Sequence, residues 1–490
     1  MKLKLRKISL DAGRPIAFLH EEAAKKIDVH VGDRIEVSHH GKKAILIVDT
    51  VKGIIKEDEI SLSDGIAGYI KAKVGEMVDI SPTLTAASAE FISKKMNAKE
   101  LKKDEIYAII KDISNDALTE AEVSYFVSGV YENGMSFRET IYLTEAMCNT
   151  GQIIKWPSSY KVADKHSIGG IPGNRTTPIV VSICAAAGVI MPKTSSRAIT
   201  SAAGTADTVE SIAKVDFPIL ELKKIVAKTG ACLAWGGSLG LAPADDKLIR
   251  VERILDVDPE SQLLASIISK KLAAGSEYVL IDIPSGTGAK VTRTEAEKLK
   301  GKFLKISKHF NLKMIVLITD GSQPIGNGIG PVLEMIDVLK VLKRDNPPKD
   351  LEKKSLILSA AILELVGKAK KGEGLTLAKE ILNSKKALKK FNEIINAQGR
   401  KKGSLKPAKY SYQIKSSKSG KIMRIDNKLI NHISRILGCP ADKGSGIYIS
   451  KHRNERVKKG DFLLTLYSES DKKLNEAIEH FYLKKPIVIG

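Results

Sequence analysis

The sequence predicts a multidomain α/β protein: an N-terminal small β-rich domain, a helical bundle domain, a central mixed and largely parallel α/β domain, and a C-terminal α+β domain. Three observations carry that expectation. At 490 residues the chain is too long for a single hydrophobic core. Its apolar period changes along its length, from short alternating runs to three- and four-residue spacing and back. In the middle, short apolar strands alternate with helical segments, the pattern of a parallel sheet that binds ligands beyond the carboxyl ends of its strands.

Residues 1–85 are the β-rich domain. Strand character is strongest over 27–37 and 43–49, with turns at Gly32-Asp33 and Gly41-Lys42, a short helix over 19–27 and a further strand start at 60–63. His39 and His40 flank Gly41 and read as solvent-facing. Residues 86–160 are the helical domain, with segments at 87–96, 103–114, 120–131 and 136–150, and a stretch at about 245–275 is expected to join it. Thr119 and Glu122 form the capping-box pattern ahead of the third segment.

Residues 161–405 are the central domain, with expected strands at 232–235, 278–282 and 313–319 and helices at 260–274, 293–310 and 330–342. Gly-rich loops at 284–290 and 320–330 follow two of those strands. The lysine-rich segment 364–405 reads as a solvated helix pair ending in a linker from Gln398 to Ser404. Residues 406–490 return to β character at 410–415, 420–425, 446–449 and 461–466, with one helix at 427–437.

Composition narrows the function classes. A net charge of +22 fits nucleic acid and anionic metabolites alike. Only 5% of residues are aromatic, and no tract interleaves aromatics with cations to stack bases, so no specific nucleic acid is expected. A basic nucleic-acid-binding protein remains the reading of another class. Cys148, Cys184, Cys232 and Cys439 are scattered, which gives neither a disulfide framework nor a zinc site and fits a reducing cytoplasm. Cys184 and Cys232 sit among small apolar residues and read as core thiols. The nine histidines lack metal-ligand spacing, and neither a metal nor a cofactor is expected. No run approaches the length of a membrane span, and no secretion signal is read at the N-terminus, so no membrane is expected.

The most informative stretch is 164–178. Gly169, Gly170 and Gly173 let the backbone turn sharply and expose its N–H groups. Lys165, His166, Ser167, Thr176 and Thr177 add charge and short donors, and the apolar run 179–187 reads as a helix. A Gly-rich loop opening a helix is an anion site, and phosphate is the commonest biological anion. Because the lysine precedes the glycines, it is not a Walker A loop. A second polar island, 193–207, crowds hydroxyls among small residues that let a ligand approach closely; a Ser/Thr-rich helix cap is its alternative. Together with Lys290, the two islands could neutralise more than one phosphate without a metal.

Lys165-His166-Ser167-x-Gly169-Gly170, followed by Ser196-Arg197 and Gly204-Thr205-x-Asp207, resembles the thymidine/pyrimidine nucleoside phosphorylase family, relatives of anthranilate phosphoribosyltransferase. The stretches 173–178 and 193–201 and the extra N-terminal domain resemble the archaeal AMP-cleaving branch of that family, over the whole chain. The resemblance implies reversible phosphorolysis of AMP, and of CMP and UMP, by orthophosphate, giving free base and ribose 1,5-bisphosphate in nucleotide degradation. A pyrimidine nucleoside (thymidine) phosphorylase is the alternative within the family. It implies orthophosphate contacts from Lys165, Ser167, Thr177, Ser196 and Thr205. Nucleotide contacts are implied for Gly170, for Ser196, Arg197, Ala198, Ile199, Thr200 and Ser201, and for Thr205, Ser266 and Lys290. Asp258 is implied as proton donor, and Lys270, Arg250 and Arg253 are candidates for the base side. A homodimeric core is implied, with higher homo-oligomers through the terminal domains.

On the residues alone, Asp258 reads equally well as the N-cap of helix 260–274. An acid needs a pKa raised toward neutrality, and Val257, Pro259, Asp256 and Glu260 make such surroundings conceivable. Ser266 and Lys270 stand one turn apart on that helix, on one face.

Overall fold

Six N-terminal strands close into a barrel in the computed structural model, which describes residues 1–8, 15–63, 65–83, 86, 88–198 and 201–490. They are β1 (Lys2–Leu5), β2 (Ile16–His20), β3 (Arg34–His39), β4 (Lys42–Val51), β5 (Glu59–Leu62) and β6 (Met77–Thr83), in the order β1-β5-β2-β4-β3-β6. Alternate side chains fill the interior, among them Leu3, Leu5, Leu19, Ile35, Val37, Leu46, Val48, Ile60, Val78 and Ile80. Two expectations are corrected here. Strand β3 starts only at Arg34, because residues 27–33 close the helix Glu21–Lys26 and turn, with Asp28 at φ 54° and Gly32 at φ 94°. His39 is buried rather than solvent-facing, with Nε2 3.4 Å from a Glu76 carboxylate oxygen.

The helices Ala89–Met96, Lys103–Ser114, Glu120–Asn133, Phe137–Asn149 and Pro243–Leu255 belong to the same compact unit as the barrel, which comprises Met1–Thr150 and Ala242–Ser266. Their shared core holds Ile106, Ile109, Ile113, Phe126, Val130, Leu143, Leu248 and Val251. Both reciprocal bonds of the Thr119–Glu122 capping box form. Arg34 of β3 ion-pairs with Glu122 and donates 3.0 Å to the Ala117 carbonyl, tying barrel to bundle.

The second unit comprises Gly151–Leu241 and Ile267–Gly490. Its strands β7 (Ala163–Ser167), β8 (Met191–Ser195), β9 (Ala231–Trp235), β10 (Tyr278–Ser285) and β11 (Lys313–Asp320) are all parallel. A bridge from Val162 to Ile190 joins the two sheets in the order β11-β10-β7-β8-β9. Strand β10 is buried along its whole length, as expected of a strand in a covered parallel sheet. The helix Thr176–Ala186 is also almost entirely buried, and Ile179, Val180, Ile183 and Cys184 lie in the core with Val338, Leu358 and Phe391.

The lysine-rich segment is less solvated than its composition suggests. Helices Gly374–Asn383 and Lys386–Ala397 bury Ile381, Leu382, Phe391, Ile394 and Ile395 in that core. Gln398 is no linker residue: its buried amide accepts from the Leu233 N–H and donates to the Lys214 and Leu233 carbonyls. At the C-terminus, β12 (Gly328–Ile329), β13 (Tyr410–Lys415), β15 (Gly446–Ile449) and β17 (Phe462–Ser468) form one sheet, and β14 (Gly420–Ile425), β16 (Arg456–Val457) and β18 (Ile487–Ile489) another. Two helices, Asn427–Ile436 and Asp471–Lys484, pack there instead of the single one expected. Among the described residues, no helix is long and apolar enough to cross a membrane.

Candidate active site

Three Gly-rich segments leave the carboxyl ends of β7, β10 and β11 and interlock. The first is shorter than expected, since residues 164–167 belong to β7 and the turn proper runs from 168 to 175 before the helix Thr176–Ala186. Gly169, Gly170 and Gly173 all hold positive φ, 90°, 88° and 70°, which only glycine adopts freely. The Ile325 amide donates 3.0 Å to the Pro172 carbonyl. The Asn427 amide donates to the Gly288 and Gly321 carbonyls at 3.2 and 2.9 Å, so a C-terminal helix clasps the second and third segments. Gly170 and Lys290 are neighbours: a Cβ on Gly170 would lie 3.2 Å from that of Lys290.

Charged side chains are buried on both faces of the sheet beneath these loops. On one face, Lys165 is 1% exposed and donates 2.9 Å to the Thr176 hydroxyl, with the Thr177 hydroxyl at 3.5 Å. Burial pushes its pKa down to about 8, against the opposing attraction of Asp282. Asp282 itself accepts from Thr319 at 2.6 Å and lies 3.0 Å from Lys354 Nζ. Burial raises its pKa, but Lys354 and Lys165 outweigh that and hold it below the usual carboxylate value. On the other face, Asp164 pairs with Lys271 at 2.5 Å and Lys193 at 3.0 Å. Burial and the neighbouring Lys271 and Lys193 depress the His166 pKa well below its ordinary value, so His166 supplies no positive charge at neutral pH.

Side-chain nitrogens donate to three of the hydroxyls around the turn. Lys165 donates to Thr176, Asn174 Nδ2 to Ser167 Oγ at 3.3 Å, and Arg175 Nη1 to Thr205 Oγ1 at 2.8 Å. A hydroxyl that accepts from such a donor keeps its own proton for another acceptor. Arg175 also brings the 193–207 island to the turn, since Thr205 opens the helix Thr205–Glu210. In that island, Lys193, Thr194 and Ser195 lie in β8 and Ser196 is exposed. The Asp207 carboxylate accepts from the amides of Ala198 at 2.7 Å and Gly204 at 2.9 Å. The Arg197 guanidinium is engaged by Asp207 and Glu210 and sits 4.8 Å from the Trp235 ring. Ser201 donates 2.7 Å to the Ala203 carbonyl; Ile199 and Thr200 lie outside the described residues.

The remaining predicted residues lie on or beside two helices. Arg250 and Arg253 are exposed on Pro243–Leu255, while Ser266 and Lys270 are half-buried on Glu260–Ala273. Lys290 is exposed. Asp258 is not the N-cap, because the Pro259 carbonyl accepts the first helical bond, from the Leu263 amide. Nor does the apolar flank bury it: Asp258 is exposed. Among the described residues, no three His, Cys, Asp or Glu side chains gather as metal ligands.

Sequence reasoning noticed Asn174 and Arg175 only as part of a motif and missed Asp282, Lys354, Glu334 and Asn427. Asp282 carried a usable signal, as the one charge in the apolar strand 278–283.

Comparison with known proteins gives a consistent result. Residues 89–151 match the helical bundle domain of the glycosyl transferase family, residues 159–388 match its a/b domain, and residues 421–488 match the pyrimidine nucleoside phosphorylase C-terminal domain. The AMP phosphorylase of Thermococcus sibiricus is 43% identical, covering 100% of this chain and 98% of that protein. AMP phosphorylase 1 of Archaeoglobus fulgidus is 40% identical with the same coverage. The AMP phosphorylase of Methanocaldococcus jannaschii is 42% identical over 99% of this chain and 97% of its own length. The fold is similar to that of anthranilate phosphoribosyltransferase from Thermus thermophilus, with a TM-score of 0.52 and 15% identity, covering 63% of this chain and 98% of that one.

Proposed function

The chain belongs to the archaeal AMP phosphorylase family, and from that premise we propose that it cleaves AMP with orthophosphate to adenine and ribose 1,5-bisphosphate. CMP and UMP are proposed as further substrates. The full-length similarity to AMP-cleaving enzymes does not favour the nucleoside-only alternative.

Orthophosphate attacks the anomeric carbon as the bond to the base breaks, and the bonding electrons leave with the base. The enzyme's largest task is to hold a dianion beside that carbon. We assign that task to Lys165, Ser167, Thr177, Ser196 and Thr205. The observation that carries this reading is the set of nitrogen-to-hydroxyl bonds around the turn, which leaves the Ser167 and Thr205 protons available to an anion while Lys165 supplies charge beneath. Gly170, the run from Ser196 to Ser201, Thr205, Ser266 and Lys290 are assigned to the nucleotide. Asp258 is assigned as the acid that protonates the departing base, with Lys270, Arg250 and Arg253 on the base side. A homodimer working in the cytoplasm completes the proposal.

The test is an assay of free base release from AMP, adenosine and thymidine, each with orthophosphate. Adenine release from AMP, well above base release from either nucleoside, is the expected result; cleavage of the nucleosides with none of AMP would overturn it.

A further inference from the structure

We propose that Arg175 is a positioning residue for phosphorolysis, whose guanidinium fixes the Thr205 hydroxyl so that its proton points to orthophosphate. The inference rests on the assignment of Thr205 to the orthophosphate site.

Arg175 is buried, and three of its N–H groups are committed: Nε to Glu334 at 2.6 Å, Nη2 to the Ala203 carbonyl at 2.7 Å and Nη1 to Thr205 Oγ1 at 2.8 Å. A guanidinium has donors and no acceptor, so Thr205 cannot return its proton to Arg175. Among the described residues, Thr205 donates no hydrogen bond to protein, and its side chain is half-buried beside the turn. A phosphate oxygen, an acceptor with spare lone pairs, is the chemical partner this proton suits.

The fork is held from behind. Glu334 is itself buried, accepting from the Gly330 amide at 3.2 Å and the Thr208 hydroxyl at 3.0 Å as well as from Arg175. Burial raises the Glu334 pKa while Arg175, 2.6 Å away, pulls it down, and the carboxyl meets the guanidinium at Nε, away from the Nη1 that holds Thr205. A lysine carries the same charge on a point rather than a planar fork and cannot serve Glu334, Ala203 and Thr205 in the same geometry. The turn at Gly204 has separate support from Asp207, so the loss of Arg175 acts on the hydroxyl more than on the backbone that carries it.

The test uses the full-length enzyme with AMP and orthophosphate varied independently. Arg175→Lys is expected to raise the orthophosphate KM about tenfold, the worth of one charge-assisted hydrogen bond, and to raise the AMP KM by a clearly smaller factor, since Thr205 is also assigned to the nucleotide. In a Thr205→Ala background the same substitution is expected to add less than about twofold, since its partner is gone. Full additivity of the two substitutions, an unchanged orthophosphate KM, or an equal rise in both KM values would overturn the inference. Wild-type enzyme that releases no adenine from AMP would defeat the functional reading itself. Thr205→Ala with wild-type orthophosphate KM would defeat the site assignment and this inference with it. Thr205→Ala impaired beside an unimpaired Arg175→Lys would defeat the role of Arg175 alone. Should Arg175→Lys fail to fold, Glu334→Gln loosens the same fork and is expected to give the same selective rise, and its absence counts against the inference.

Discussion

Lys165 Nζ lies 2.9 Å from the Thr176 hydroxyl in a position only 1% exposed, and burial holds its pKa at about 8. The orthophosphate KM is therefore expected to rise above about pH 8, where the free enzyme loses this cation, while the Lys165→Met variant shows a raised KM with a flatter profile. The stability effect has the opposite direction. A folded-state pKa depressed from 10.5 contributes stability that is present above pH 10.5 and lost as pH falls through 8, a span of about 3 kcal/mol. Urea unfolding at pH 7 and pH 10 measures it: wild type should lose more stability on acidification than Lys165→Met, and parallel losses would contradict the burial account.

Asp164 is the carboxylate that pairs with two buried lysines, Lys271 at 2.5 Å and Lys193 at 3.0 Å. Its pKa is raised by burial but lowered further by Lys193 and Lys271, so it is ionised at neutral pH. Asp164→Asn removes the counter-charge of both lysines, leaving Lys193 its bond to the Thr194 carbonyl, and is expected to cost about 3–5 kcal/mol in a denaturant titration. A loss under about 1 kcal/mol would mean that the lysines find other partners.

The glycines of the turn separate backbone strain from collision. Gly169 has open space where a Cβ would stand, so Gly169→Ala carries only the cost of its positive φ, about 1 kcal/mol. At Gly173 a Cβ would drive into the Ile325 carbonyl oxygen, on the segment that interlocks with the turn. Gly173→Ala is expected to lower the melting temperature by clearly more than Gly169→Ala; equal shifts would show that the loop gives way freely.

Asp258→Asn removes the assigned acid without removing its shape. Steady-state kinetics should show kcat reduced by about 10²–10⁴ with the AMP KM close to wild type. Near-normal turnover would free Asp258 from the chemistry.

The legible parts of this molecule were those written locally. Glycine spacing after apolar runs marked the three loops, and a two-residue signature marked the Thr119–Glu122 cap. The barrel was only partly legible, because β1 and β5 are four residues each and gain their meaning from pairing across more than fifty residues. Arg175 stood in plain view within a motif, but its burial depends on Glu334, 159 positions away. Asn427 and Gln398 were illegible for the same reason, since each satisfies backbone groups on distant segments. Asp258 misled in the other direction, as apolar sequence neighbours say little about burial at the start of a helix.

The most direct measurement of the central claim follows radiolabelled orthophosphate during turnover of unlabelled AMP. Phosphorolysis predicts that the label enters ribose 1,5-bisphosphate at one equivalent per adenine released. Adenine released while the label stays in orthophosphate would show hydrolysis instead and would contradict the account.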